Sequence, residues 1–285
     1  MVRRVAVITG ANKGIGKSIV KHMLERGFQG DVILTARNQT RGLKAVEELT
    51  KLCSKAPLFY RLDVTDCASV EKLRDYIKST YGGLDVLVNN AGITYDAELP
   101  IPYAEQAESV INTNYFGILN TSRIFFPLLR PSARVVHVSS MLGHLSKIPN
   151  NDLRTRFAAK DLTEDQLTAL MQEFLSAARA CTNEKLGWGS SSYNVSKVGV
   201  CALGFIQQRQ FDTNPDKDLI VNTVHPGYVD TDMTKHKGPL TPDQGADAPT
   251  YLAMLPPRDP SNPKGQFVWY TRKIVGWDSD KMPRD

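Results

Sequence analysis

The chain has 285 residues, enough to bury a sizeable core without disulfides or metals. Apolar residues make up 41% and charged residues 23%, the balance of an ordinary soluble protein. The net charge of +5 is mild and scattered, with no basic run carrying interleaved aromatics, so composition gives no support to nucleic-acid binding. Cys53, Cys67, Cys181 and Cys201 lie far apart with no C-x-x-C pair, which speaks against a zinc or redox motif and fits a reducing compartment. The apolar stretch after Arg4 reaches a glycine within five residues, too short for a signal peptide. No run approaches the length of a membrane span. A cytosolic protein without membrane or nucleic-acid partners is expected.

Strands and helices alternate. Val5-Ala6-Val7-Ile8 is an apolar run that ends in the turn Thr9-Gly10-Ala11-Asn12-Lys13-Gly14-Ile15-Gly16, and an amphipathic stretch over 15–28 follows. Val32-Ile33-Leu34 is the next strand. Asn38 is placed to cap a helix with Leu43, Val46, Leu49 and Leu52 apolar. Residues 58–62 read as a strand, and Asp66 caps a helix with Val70, Leu73, Ile77 and Tyr81 inward. Strands over 84–88, 135–138 and 219–224 complete the set. Apolar strands separated by helices predict an α/β fold: a Rossmann-type, doubly wound parallel sheet in three α/β/α layers. No linker divides the chain, so one domain over 1–285 is expected.

More than fifty residues separate Ser140 from Tyr193. They predict a helical insertion over about 145–188. Thr163-Glu164-Asp165-Gln166 is a capping box, and Leu167, Leu170, Met171, Phe174, Leu175 and Ala178 form one apolar stripe. The stripe packs on the core or covers a surface that would otherwise pair with a second subunit. A helix over 241–255, a short strand at 265–268 and a polar, frayed tail from Trp277 end the chain.

The chemistry begins at the glycine turn. Strand, glycine turn and helix together receive a pyrophosphate on backbone amides and the helix N-terminus. Gly10, Asn12, Lys13, Gly14, Ile15 and Gly16 would form that cradle. An acid that holds ribose hydroxyls is expected about 20 residues beyond such a turn. Ala36 and Arg37 stand there instead. Arg37 and Lys13 suit a 2′-phosphate, or are solvated surface charges. The absent acid favours NADP(H) over NAD(H). Asn89-Asn90-Ala91-Gly92 follows a buried strand and either lines a ligand or makes an ordinary turn.

Tyr193 and Lys197, four apart, share one face of a helix. A phenol with a pKa of about 10 is a poor base at neutral pH. A neighbouring ammonium and the positive charge of an oxidised nicotinamide would lower that value. The pair then suits acid/base work on a carbonyl or alcohol, with Ser140 placed to hydrogen-bond the substrate oxygen. His22, His137, His144, His225 and His236 show no ligand spacing. No metal is needed, because proton and cofactor hydride account for both halves of the reaction.

Thr9-Gly10-x-x-x-Gly14-x-Gly16, Asn89-Asn90-Ala91-Gly92, Asn114, Ser140, Tyr193-x-x-x-Lys197 and Pro226-Gly227 occur in that order. In this the chain resembles the short-chain dehydrogenases/reductases over essentially its whole length. More narrowly it is similar to their monomeric cytosolic carbonyl reductases, through 10–16, Leu34-Thr35-Ala36-Arg37, 81–92 and the insertion. The resemblance implies that Tyr193 donates the proton while Lys197 lowers its pKa and holds the nicotinamide ribose. It implies that Ser140 orients the carbonyl and Asn114 supports a water chain. Asp63 and Val64 would meet the adenine, Asn90 would line the cofactor cleft, and Val229 and Thr231 would contact the carboxamide. Ser140, Met141 and Tyr228 would border the substrate. Mammalian members carry cysteine and tryptophan where His225 and Tyr228 stand. Tyr228 keeps an aromatic wall, but with the cysteine missing the resemblance does not extend to thiol-sensitive or glutathione-linked behaviour.

The expected activity is NADPH-dependent reduction of ketones, aldehydes or quinones. A narrower steroid, prostaglandin or terpenoid/alkaloid reductase and a non-catalytic NADP(H)-binding regulator are the alternatives. A monomer is expected, with the insertion over the would-be dimer face. Specificity is assigned to loops near 93–102, 141–150 and 230–238.

Overall fold

The computed structural model describes residues 3–95, 100–279 and 282. Seven strands run parallel: β1 (Arg4–Ile8), β2 (Gly30–Ala36), β3 (Leu58–Arg61), β4 (Leu84–Asn89), β5 (Leu129–Val138), β6 (Ile220–Val224) and β7 (Phe267–Val268). β8 (Ile274–Val275) adds antiparallel to β7. The sheet order among the described residues is β3-β2-β1-β4-β5-β6-β7-β8. The order reverses between β1 and β4, and a crevice opens at the carboxyl ends of strands at such a switch point.

Alternate residues of one strand feed opposite cores. Ala6 and Ile8 of β1, Val86 and Val88 of β4 and Val136 of β5 pack with α1 (Gly14–Glu25), α2 (Gln39–Leu52) and α9 (Pro242–Ala253). Val5, Val7, Leu87 and Val135 face α3 (Cys67–Tyr81) and Phe125 of α5 (Gly117–Phe125). A third core joins α4 (Tyr103–Ile111), α5, α7 (Glu164–Arg179) and α8 (Ser192–Asp212), with α6 (Asn151–Phe157) at its rim. The sheet is therefore covered on both faces, as its apolar strands require.

Several local expectations hold. Asp66 accepts from the Ala68 amide, and Val70, Leu73, Ile77 and Tyr81 of α3 are buried. Thr163 and Gln166 form a reciprocal capping box at α7. The α7 stripe, Leu167, Leu170, Met171 and Phe174, is buried within the chain, where α7 packs on α4 and α8.

Other expectations need correction. Leu43 and Leu52 of α2 are 50% and 64% exposed. Every third residue steps back about 60° around a helix of 3.6 residues per turn, so a strict three-residue repeat walks off the buried face. Leu49 is buried as expected, with Val46 partly so, and Gly42 and Ala45 complete the buried face in place of Leu43 and Leu52. α4 and α5 were not expected. They are joined by a π-helical turn, Asn112–Phe116, which inserts a residue and breaks the apolar period. β5 begins well before Val135, at Leu129; its first half carries Pro131 and a register shift against β4, which hide it from an apolar strand pattern. The C-terminal segment is not frayed at Trp277. That side chain is buried and its indole donates to the Gly143 carbonyl at 2.6 Å.

Candidate active site

The glycine turn joins β1 to α1 in a space too tight for side chains. A Cβ on Gly16 would stand 2.4 Å from Asn90 Nδ2 and 2.7 Å from the Gly10 carbonyl. Asn90 belongs to this turn. Its Nδ2 donates to the Thr9 and Gly10 carbonyls at 2.9 and 3.1 Å, and Thr9 Oγ1 accepts from the Asn90 and Ala91 amides. Lys13, the N-cap residue of α1, makes no side-chain cap, and the first turn holds no acid. The first amides of α1 therefore have no capping side chain and no acid in their own turn, which suits them to receive an anion.

The cleft has a volume of about 630 Å³. Gly10, Asn12, Lys13, Gly14, Ile15 and Gly16 line its floor. Arg37, Asp63, Val64, Asn90 and Thr231 also line it, each at a position the sequence singled out. The glycine cradle and the basic residues at the end of β2 fit a dinucleotide that carries an extra phosphate. Val229 is the exception. It is buried behind the wall, where its carbonyl accepts from Thr234 Oγ1.

The structure adds residues that sequence reading missed. Asn38 and Arg41 border the cleft, as do Asp232, Met233 and His236. The signal for Arg41 was available: the Asn38 cap accepts from the Arg41 amide at 2.9 Å, which turns the first turn of α2 toward the end of β2. Lys13 does not stand alone for a phosphate. It pairs with Asp232, which also lies 3.2 Å from His236 Nε2. The Lys13 ammonium, by hydrogen bond and charge, holds the Asp232 carboxyl below its ordinary range.

Ser140 lies two residues past the end of β5, and Tyr193 and Lys197 lie on the first two turns of α8, which Ser191 caps through the Asn194 amide. The Ser140 hydroxyl lies close enough to the Tyr193 phenol to favour its ionised form. Lys197 Nζ lies 5.5 Å from the Tyr193 ring centroid and donates to the Val138 carbonyl at 2.8 Å. Burial pushes the Tyr193 phenol up to about 12, against the pull of Ser140. Burial also pulls the Lys197 ammonium down to about 8. At neutral pH the resting pair is therefore a protonated phenol beside an ammonium.

Asn114 lies in the π-helical turn. Its Oδ1 accepts from the Ile93 amide at 2.8 Å, and its Nδ2 donates to the Ile93 carbonyl and Ser196 Oγ at 2.9 and 3.0 Å. It thus ties the loop after β4 to α8. A Cβ on Gly92 would lie 3.2 Å from Asn114 Oδ1 and 3.6 Å from Lys197 Nζ, and Gly92 lines the cleft. The trio and Asn114 therefore adjoin the cleft. Met141 is half-buried beside Ser140, and Tyr228 is largely exposed. Residues 96–99 of the first specificity loop lie outside the described residues. His137 is buried between Asn89 and Gln207, and burial pushes it down to about 4. Among the described residues no three His, Cys, Asp or Glu side chains gather to hold a metal. No helix there is long and apolar enough to cross a membrane.

The short chain dehydrogenase family model matches residues 4–153. The chain belongs to the short-chain dehydrogenase family. Among relatives, it is 42% identical to carbonyl reductase [NADPH] 1 of Homo sapiens, covering 96% of this chain and 98% of that protein. It is 43% identical to carbonyl reductase [NADPH] 3 of Rattus norvegicus, covering 93% and 95%. Among solved structures, salutaridine reductase from Papaver somniferum superimposes with a TM-score of 0.84 at 32% identity, covering 93% of this chain and 99% of that one. Menthone neomenthol reductase from Mentha piperita gives 0.79 at 30% identity, covering 95% and 99%. The parallel sheet, the glycine turn and the Ser-Tyr-Lys grouping are thus those of a short-chain dehydrogenase.

Proposed function

We propose that this short-chain dehydrogenase is an NADPH-dependent carbonyl reductase that converts ketones, aldehydes or quinones to alcohols. The observation that carries the reading is the meeting of the Ser140 hydroxyl, the Tyr193 phenol and the Lys197 ammonium beside a phosphate-ready cleft. A non-catalytic regulator would have no use for that grouping.

The glycine turn and the first amides of α1 would hold the pyrophosphate. Arg37, with Arg41 and Lys13, would hold the 2′-phosphate, and Asp63 and Val64 would border the adenine. Val229 and Thr231 are assigned the carboxamide end, Val229 through its backbone only. When bound, NADPH supplies the hydride. The Ser140 hydroxyl donates to the substrate carbonyl and fixes its angle. Tyr193, protonated at rest, gives its proton to the oxygen as charge builds there. Lys197 stabilises the phenolate left behind and would hold the nicotinamide ribose. Asn114 holds the wall over which that proton is restored. Ser140, Met141 and Tyr228 border the substrate. A narrower steroid, prostaglandin or terpenoid/alkaloid reductase is the second reading, favoured by the likeness to salutaridine reductase and menthone neomenthol reductase.

NADPH consumption against quinones, α-dicarbonyls and ketosteroids tests both. Turnover across the panel supports the broad reading, and turnover of one class the narrow one. No turnover on any member overturns the assignment. Arg37→Asp is expected to weaken NADPH about 100-fold, with little effect on NADH, since it replaces a charge-assisted fork by a repelling carboxylate. Equal affinity of the unmutated protein for both cofactors would sink the preference.

The reading extends to one domain over 1–285, a cytosolic location and a monomer. The monomer is supported by α7, whose apolar stripe is spent on α4 and α8 of its own chain. Burying each Leu or Phe there is worth roughly 1.5–3 kcal/mol, without the entropy cost of association. Light scattering at micromolar protein should give a mass near 31.6 kDa. Twice that mass would refute it. Replacing 149–187 by a short loop should expose α4 and α8 and cause association.

A further inference from the structure

The C-terminal segment lies across the turn that follows Ser140. Trp277 Nε1 donates to the Gly143 carbonyl at 2.6 Å, and the Trp277 carbonyl accepts from the Leu145 amide at 3.0 Å. His144, between those two residues, is buried. Its Nε2 lies 3.1 Å from the Gly276 carbonyl and 3.3 Å from Ser279 Oγ. Its Nδ1 lies 2.9 Å from Ser146 Oγ. A carbonyl only accepts, so Nε2 carries the proton. Burial holds the imidazole below its ordinary value, so this ring is a neutral strut.

The clamped turn leads directly to the reacting groups. Ser140 Oγ accepts from the Leu142 amide at 3.1 Å, and the Gly143 amide donates to the Ser140 carbonyl at 2.9 Å. A Cβ on Gly143 would stand 2.7 Å from the Lys197 carbonyl, so the turn rests on the backbone of α8. Trp277 also meets α8 by its other edge: its ring packs on Phe205 with centroids 5.1 Å apart. One side chain therefore touches the turn that presents Ser140 and the helix that presents Tyr193 and Lys197. A tail that only needed anchoring would be held by apolar contact. Here the Trp277 indole on Gly143 and the Trp277 carbonyl on Leu145 grip the turn on both sides of His144.

We propose that Trp277, with His144, is a positioning residue for carbonyl reduction that sets the Ser140 hydroxyl against the Tyr193 phenol. This rests on the assignment of Ser140, Tyr193 and Lys197 above. The C-terminal segment, far from the site in sequence, becomes part of the frame that fixes reacting distances, where small misplacements are costly.

Trp277→Phe keeps the ring and loses the bond to Gly143. Its kcat should fall about ten-fold while KM for NADPH stays within about two-fold. The ¹³Cζ signal of labelled Tyr193, identified by its loss in Tyr193→Phe, should move in the cofactor-free protein at neutral pH. Tyr81→Phe is the control. It breaks a buried hydrogen bond to Asp31 at the opposite end of the sheet and should lower the melting temperature without either effect. His144→Gln, which keeps a donor for Gly276, should retain more turnover than His144→Leu, and this pair decides the matter if Trp277→Phe does not fold. Wild-type kcat with an unmoved Tyr193 signal in Trp277→Phe, or equal turnover of the two His144 variants, overturns the proposal. So does a kcat loss that Tyr81→Phe matches. If Tyr193→Phe itself keeps turnover, the assignment of Ser140, Tyr193 and Lys197 falls and the positioning role of Trp277 with it. If Tyr193→Phe is inactive and Trp277→Phe behaves as wild type, the positioning role of Trp277 alone falls.

Discussion

Tyr193→Phe is expected to lower kcat for carbonyl reduction by about 10²–10⁴-fold, the usual worth of a positioned proton donor, while NADPH binding survives. The phenol is the acidic group beside Ser140 and Lys197, and a phenyl ring keeps its volume but has no proton to give. Cofactor affinity rests on the glycine turn and the arginines, which the change does not touch. Retention of even about a tenth of the rate would remove Tyr193 from the role, since less than the lower bound for general acid catalysis would then be lost. The pH profile supplies a second check. Burial pushes the phenol up to about 12, so it stays protonated through the neutral range. Lys197, pulled down to about 8 by burial, carries its charge below that value and loses it above. The stabilisation of a developing phenolate is therefore complete at pH 6–7 and fades as pH rises through about 8. Turnover in the reduction direction should fall across that window.

What the sequence made legible follows physical range. The glycine turn needs only its immediate neighbours, a buried strand and a helix, so Gly10 to Gly16 could be read. α3 announced itself because a capping Asp66 and a clean 3.6-residue apolar period agree. α2 was placed by its cap, but its inward face was misread because the leucines drift around the helix. α4 and α5 were lost because the π-helical turn between them resets the period, and Asn114 sits in that turn. The pairing of Lys13 with Asp232 and the grip of Trp277 on Gly143 join residues more than a hundred positions apart. No local pattern encodes such contacts. The residues named from the family resemblance nevertheless line one cleft or adjoin it, apart from the buried Val229 and the exposed Tyr228. A motif binds residues to a shared geometry even where composition and period say nothing of it.

Asp218→Ala is expected to destabilise the fold by about 3–5 kcal/mol, the range for breaking a buried ion pair from one side. Arg134, near the middle of β5, is almost fully buried, and its Nη2 donates to Asp218 Oδ2 at 2.9 Å. The same guanidinium bonds the carbonyls of Asp218 and Pro256, both at 2.7 Å, so one cation holds β5, the entry to β6 and the exit of α9. Burial alone would raise the Asp218 carboxyl. The Arg258 amide and the Arg134 guanidinium outweigh it and hold the group below the ordinary carboxylate range. The sign follows. A carboxyl depressed in the folded state adds stability above its unfolded pKa of about 3.9, and that stability is lost as pH falls through the lower folded value. Wild type and variant should therefore differ most at neutral pH and converge in acid. At pH 7 the melting temperature should drop on the order of 10 °C, measured by calorimetry or circular dichroism. The kcat of the surviving folded fraction at 25 °C should be unchanged, because Ser140 leaves β5 at its other end. A loss below about 1 kcal/mol would mean that the carbonyls alone satisfy Arg134, and an unaltered gap between pH 7 and pH 3 would mean that the carboxylate charge plays no part.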